Sequence, residues 1–196
     1  KANPASSLKI LLQPIPRRKY RAITKLDQIR SALIDYEAEP HSASIKLASR
    51  LLALTAARPG TVRLAKQSEF HDLDGSSPSW VIPADKMKLN RDEAEQEAYD
   101  FEIPLSSQAV ALVKTALKWS AGEPFLFPSI TRIGVPITDS SLSKSYRDSR
   151  QFYAKHVPHG WRSSFSTIMN ERAKELNNPG DREVIDLMLA HKPRGV

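Results

Sequence analysis

Apolar positions recur at helical spacing along most of this chain and at strand spacing only briefly. Ile45, Ala48, Leu51, Leu52 and Thr55 share one face of a helix beginning near Ser44, which Pro59-Gly60 must end. Upstream, Thr24 with Asp27 three residues on predicts a capped helix reaching about Glu37, broken by EPHSAS. A short helix over 61–68 precedes the turn HDLDGSSPS. WVIP (80–83) and FEIPLS (101–106) read as two short strands of a hairpin, with the polar stretch 84–100 as its enlarged tip. Helical register returns over 107–119 through Val110, Val113 and Leu117, and FLFPS reads as a buried turn. Thr138 predicts the cap of a helix over 139–154 that turns Leu142, Tyr146 and Tyr153 inward and Lys144, Arg147 and Arg150 elsewhere. Gly160 to Leu176 and Asp181 to Ala190 are the last two helices, parted by NNPGD. The pattern predicts a mostly α domain over 24–196 with one small antiparallel β-hairpin or sheet. Residues 1–23 mix prolines, a short apolar run and a basic cluster, as an arm or linker does.

Composition narrows the partners. The excess of 29 Lys and Arg over 22 Asp and Glu gives a net charge of +7, which favours a polyanion and most often nucleic acid. The absence of Cys excludes disulfides, thiolate metal sites and cysteine nucleophiles, and fits a reducing cytoplasm. The apolar run LLALTAA is much too short to span a membrane. A first residue of Lys predicts a fragment of a longer protein.

Candidate chemistry gathers in the second half. His159 and Arg162, three apart in HGWR, share a helical face, although an isolated HxxR also fits an ordinary polar stripe. His191 follows VIDLMLA, where an imidazole also suits the negative end of a helix. Arg58 closes an apolar helix just before Pro-Gly, and Lys86 and Lys88 flank Met87 at the end of a strand. His156 with His159, or HDLD at 71–74, offers nitrogen and oxygen for a metal, but the chain has no HExxH or paired-carboxylate spacing.

The order of these pieces is more specific than any one of them. LLALTAARPG, then ADKMK before EIPLS, then HGWR and LAH resemble the catalytic domain of tyrosine recombinases, and most of all phage-type integrases carried by genomic islands. The likeness covers nearly the whole chain; NPA at 3–5 is similar to the segment that follows the family's DNA-binding N-terminal domain. The resemblance implies the DNA breaking-rejoining fold, with Arg58 as the first active-site arginine and Lys88 as the hairpin lysine. His159 and Arg162 match the His-x-x-Arg pair, and His191 the second histidine. It further implies an enzyme of site-specific DNA integration and excision, acting without metal or other cofactor through a 3′-phosphotyrosyl intermediate. Double-stranded attachment sites, a recombinase tetramer on DNA, accessory DNA-bending proteins and a bacterial cytoplasm belong to the same expectation.

The residue chemistry suits that reading. Two fork-shaped guanidiniums clamp the non-bridging oxygens of a phosphodiester as charge builds there, and a histidine near neutrality accepts a proton from an attacking hydroxyl. The helix with Lys144, Arg147 and Arg150 is expected to meet DNA phosphates. Three departures stand out. Thr61 occupies a place that is commonly acidic in the family, and the tip NRDEAEQEAYD is long and acidic, so residues 91–100 are expected to form a mobile loop. Thirdly, the family's nucleophile lies about ten residues after the second histidine, whereas the five tyrosines here (20, 36, 99, 146 and 153) all precede His191. These 196 residues are therefore expected to bind DNA without cutting it. Two alternatives remain: a type IB topoisomerase, and a non-catalytic DNA-binding module, favoured if Arg58, Arg162 and His191 lie far apart.

Overall fold

In the computed structural model, residues 20–87, 92, 95–178 and 180–190 are described. The first helix, α1 (Leu26–Ala38), starts behind Lys25 with no side-chain cap, so the expected Thr24–Asp27 cap is not what begins it. The backbone just upstream is instead tied to a distant turn: Ile23 N donates to His156 Nδ1 at 3.0 Å and Ile23 O accepts from Ser164 Oγ at 2.6 Å. The helix begins where that restraint ends.

Helix α2 (Ala43–Thr55) buries Ala48, Leu51, Leu52 and Thr55, the face its spacing predicts. It closes before Pro59, at Ala56, whose φ of 51° turns the chain left-handed. Pro59 then opens α3 (Pro59–Arg63), since a missing N–H is harmless in a first helical turn. Proline and glycine here start a helix; they do not stop one. Arg58 lies on the extended link between the two.

Three strands pair antiparallel: β1 (Phe70–His71), β2 (Ser79–Ile82) and β3 (Phe101–Pro104), in the order β1-β2-β3. The expected hairpin is β2-β3, and β1 is an addition too short to leave an alternation in the sequence. Trp80, fully buried, stacks on Phe70 at 5.3 Å and donates its indole N–H to Glu69 Oε2 at 3.1 Å. Glu69 also accepts from Lys66 N at 3.1 Å and from the Lys86 ammonium, which donates in turn to Leu64 O at 2.6 Å. A buried carboxylate and a buried ammonium thus pin the root of the hairpin to the chain that follows α3. At the tip, residues 88–91, 93 and 94 lie outside the described residues. Glu97–Tyr99 form a single 3-10 turn, and Asp100 Oδ1 accepts from Ala84 N at 2.8 Å. The C-terminal end of the segment expected to be mobile is therefore anchored.

Helix α4 (Ser107–Trp119), capped by the Ser106 hydroxyl, packs against α2 through Ala109, Leu112, Val113 and Ala116; Val110 and Leu117 are partly buried. Leu126 and Phe127 of FLFPS are fully buried. Helix α5 (Asp139–Asp148) has the predicted cap, Thr138 Oγ1 accepting from Ser141 N at 3.0 Å, but stops short of residue 154. Ser149 ends it: its hydroxyl accepts from Gln151 N and Phe152 N, each at 3.1 Å, and starts a new turn. As a result Leu142 and Tyr146 are buried while Tyr153 is 66% exposed, against expectation. The last helices, α6 (Gly160–Glu175) and α7 (Asp181–Met188), pack on each other. Ile185 and Leu189 bury against Ala56, Phe165 and Met169. That small cluster carries the end of the described chain back to the end of α2.

Candidate active site

Arg162 lies in the first turn of α6 and is only 8% exposed. Its Nη1 donates to Ala56 O at 3.0 Å and its Nη2 to Leu189 O at 2.6 Å. Arg58, half-buried, donates from Nη2 to Ala190 O at 3.3 Å. Two guanidiniums from distant parts of the sequence are therefore fastened to the same short stretch of backbone after α7. The left-handed turn at Ala56 supplies one carbonyl, and the packing of Ile185 and Leu189 supplies the others. A guanidinium carries five N–H donors in a planar fork, a geometry that suits the oxygens of a phosphate.

Two like charges held this close oppose each other. Burial, and then the charge of Arg58, lower the Arg162 pKa to about 10; burial lowers that of Arg58. Both remain cationic at neutral pH, so the arrangement stores repulsion that an anion between them would relieve. His159, at the N-cap of α6, has its pKa held below the ordinary imidazole value by burial, then by Arg162 and Arg58. It is neutral at pH 7 and able to take a proton. A cavity of about 510 Å³ opens beside these groups, lined by Tyr20, Ala22, Thr24, His159, Arg162, Ser163, Ser166, Thr167 and Leu189.

Of the residues singled out in the sequence, Arg58, His159 and Arg162 come together here. Lys88 and His191 lie outside the described residues; Ala190, which precedes His191, carries the carbonyl that Arg58 holds. Lys86 is bound into the buried pair with Glu69. Thr61, in the commonly acidic place, is buried on α3. Lys144, Arg147 and Arg150 are exposed, but Lys144 pairs with Asp148, and Arg150 falls beyond the end of α5. His156 is committed elsewhere: it is 2% exposed, its Nδ1 accepts from Ile23 N, and burial lowers its pKa to about 4. Among the described residues, no three of His, Asp or Glu are grouped as metal ligands would be. Sequence reasoning missed Tyr20, whose ring centre lies 4.1 Å from that of His159. It also missed the carbonyls of Ala56, Leu189 and Ala190, which no side-chain pattern announces.

Two curated proteins of Escherichia coli (strain K12) are similar to this chain. Prophage integrase IntA is 31% identical over 154 residues, 76% of this chain and 33% of its own length. Prophage integrase IntZ is 31% identical over 155 residues, 79% of this chain and 34% of its own length. The chain belongs to the tyrosine recombinase family of integrases.

No protein-family model matches it. This recombinase-family chain spans about a third of the length of those curated relatives. Its fold is that of solved tyrosine recombinases. The Tn1549 transposon integrase in complex with transposon right-end DNA superposes with a TM-score of 0.67 at 16% identity, over 95% of this chain and 62% of that one. The site-specific recombinase XerH bound to its difH substrate gives 0.63 at 17% identity, over 91% of this chain and 50% of that one.

Proposed function

We propose that these residues are the catalytic portion of a DNA integrase, carrying out integration or excision of a mobile element by phosphodiester transfer. The observation that carries the reading is the convergence of Arg58 and Arg162 on the 189–190 backbone, beside a neutral His159. The two arginines bind the non-bridging oxygens of the scissile phosphate and stabilise the charge that grows on them during attack. A tyrosine oxygen bonds to phosphorus while the bond from phosphorus to the 5′ oxygen breaks. His159 takes the tyrosine's proton, and Lys88 supplies one to the departing 5′ oxygen. The 3′-phosphotyrosyl ester keeps the bond energy, and attack by another strand's 5′ hydroxyl reverses the step. His191 adds a hydrogen bond to the phosphate. No metal or nucleotide enters this scheme. Duplex DNA at attachment sites, tetrameric self-association on DNA and accessory DNA-bending proteins complete the proposal, with the bacterial cytoplasm as its setting. Among the described residues no helix is long and apolar enough to cross a membrane.

The nucleophile we assign to a tyrosine downstream of Val196. Tyr36 and Tyr146 are buried with their hydroxyls hydrogen-bonded; burial raises the Tyr36 pKa to about 12 and pushes that of Tyr146 up also. The test incubates a nicked attachment-site duplex with the 196-residue chain and with a chain extended through the first downstream tyrosine, both in excess chelator. A denaturation-resistant adduct is expected with the longer chain alone, and is lost when that tyrosine becomes Phe. An adduct formed by the shorter chain and abolished by Tyr20→Phe would move the nucleophile to Tyr20. Complete dependence on a divalent metal would overturn the two-arginine mechanism.

A further inference from the structure

We infer that Tyr20 is a positioning residue for His159, laid over the imidazole by a clasp between residues 20–24 and the turn that opens α6. The inference rests on the reading of His159 as proton acceptor, and it adds a residue that none of the sequence motifs contains. Four contacts build the clasp. Arg21 O accepts from Val157 N at 3.3 Å. A Cβ on Gly160 would lie 2.3 Å from that same Arg21 O, so glycine is what allows the two backbones to meet. Ile23 N donates to His156 Nδ1 at 3.0 Å, and Ile23 O accepts from Ser164 Oγ at 2.6 Å. Ile23 and His156 are buried at 9% and 2% exposure, so these bonds are shielded from competing water.

The clasped segment alternates as extended chain does. Arg21 and Ile23 make the bonds to the turn, while Tyr20, Ala22 and Thr24 line the cavity that also holds His159 and Arg162. Tyr20 thereby covers one face of the imidazole, with ring centres 4.1 Å apart and planes tilted by 38°. An imidazole at a helix N-cap has torsional freedom about its side chain, and a proton acceptor needs one ring nitrogen aimed at one spot. The stack removes that freedom. It also gives the otherwise unused His156 a task, since this buried neutral ring is a peg for the segment that delivers Tyr20. Among the described residues, the charged and titratable groups around His159 are Arg162 on α6, Arg58 from the α2–α3 link, and the Tyr20 phenol with exposed Arg21 on the clasped segment.

The experiment labels the histidine rings of the 196-residue chain and follows His159 by NMR through a pH titration, with assignment by His159→Gln. Tyr20 is 57% exposed, so its replacement leaves the core intact. Tyr20→Ala is expected to move the His159 ring-proton shifts as the ring current is lost, and to shift the titration midpoint. Tyr20→Phe should restore both, because stacking needs the ring and not the hydroxyl. Ser164→Ala, which loosens the clasp without touching Tyr20, should fall between. His159 signals and midpoint unchanged in Tyr20→Ala would overturn the inference, as would Tyr20→Phe behaving like Tyr20→Ala. These readouts need no DNA cleavage, so failure of the recombinase reading is seen separately, as a tyrosine-extended chain that forms no adduct.

Discussion

Two places in this molecule hold buried charge in opposite ways. Under the sheet, Lys86 and Glu69 are 10% and 5% exposed and face each other, with Trp80, Lys66 and Leu64 completing their hydrogen bonds. At the cleft, Arg58 and Arg162 face each other as like charges and lean on the carbonyls of Ala56, Leu189 and Ala190. The first arrangement is closed, since donors and acceptors answer one another and a ligand would add nothing. The second suits an anion, because two like charges stand together there and that of Arg58 adds to burial in lowering the Arg162 pKa. Burial alone therefore does not separate structural from functional charge. The sign of the neighbour does.

The largest effect should come from breaking the closed pair. Lys86→Ala leaves the Glu69 carboxylate buried beside Trp80, and loss of one partner of a buried pair costs about 3–5 kcal/mol. Denaturant unfolding should show that loss, while Lys86→Met with Glu69→Gln should recover most of it, since neutral groups need no counter-charge. Lys86→Ala with wild-type stability would mean that the pair does not hold the hairpin root. The same variant bears on the sequence reading, because Lys86 and Lys88 are equally plausible by composition and two residues apart. Only the fold shows Lys86 engaged.

A comparable contrast separates two histidines of one turn. His156 is buried and its folded-state pKa is about 4, below the ordinary value of roughly 6.5. Its depressed value means that the folded state resists the proton. The penalty is absent above pH 6.5, grows as pH falls below it, and is complete below about pH 4. Stability should drop by about 3 kcal/mol across that window on account of this one group. His159 shifts in the same direction, with a cause that includes two arginines as well as burial. Comparing the acid limbs of wild type and His159→Gln by thermal unfolding separates the two contributions. A His159→Gln variant that loses the whole limb would contradict the assignment of the larger share to His156.

How far the sequence foretold all this varies with the kind of signal. Helices α2 and α4 were legible from apolar spacing, and the Thr138 cap from its side chain, because both are local rules acting on local residues. The end of α5 was not, because the Ser149 hydroxyl that closes it is also held by Glu39 from far along the chain, to which it donates at 3.0 Å. Strand β1 is too short to carry a period. At the site, Arg58, His159 and Arg162 were legible as motif residues. Tyr20 sits in a stretch that reads as linker, and what brings it to His159 is a set of backbone bonds and one glycine. Those are tertiary facts with no periodicity.

The open pair predicts the next effect. Sulfate at about fifty times its dissociation constant should stabilise the chain by about 2 kcal/mol, raising the melting temperature by roughly 4–8 °C. Chloride at equal ionic strength is the control for general salt effects. Arg58→Gln and Arg162→Gln should each remove most of the sulfate-specific gain, although Arg162→Gln also leaves the Ala56 and Leu189 carbonyls to find other donors. Equal gains in wild type and both variants would place the anion elsewhere and dissolve the comparison.

The smallest effect is expected on α5, where two cations of one helix, differently engaged, can be measured against DNA. Lys144 and Arg147 are both exposed on this helix, yet Lys144 is hydrogen-bonded to Asp148 while Arg147 acts on that carboxylate only through space. An ammonium already held by a carboxylate releases fewer counterions when it reaches a phosphate, because part of its charge was neutralised beforehand. Titrating a fluorescent duplex by anisotropy over a range of salt gives the slope of log affinity against log salt. Arg147→Ala should flatten that slope by about 0.9, the value of one phosphate contact on duplex DNA. Lys144→Ala should flatten it by clearly less, and Asp148→Asn should steepen it by freeing Lys144. Equal changes in the two alanine variants would show that the Lys144–Asp148 pair dissolves on DNA. Unchanged slopes in both would remove α5 from the DNA-contacting surface altogether.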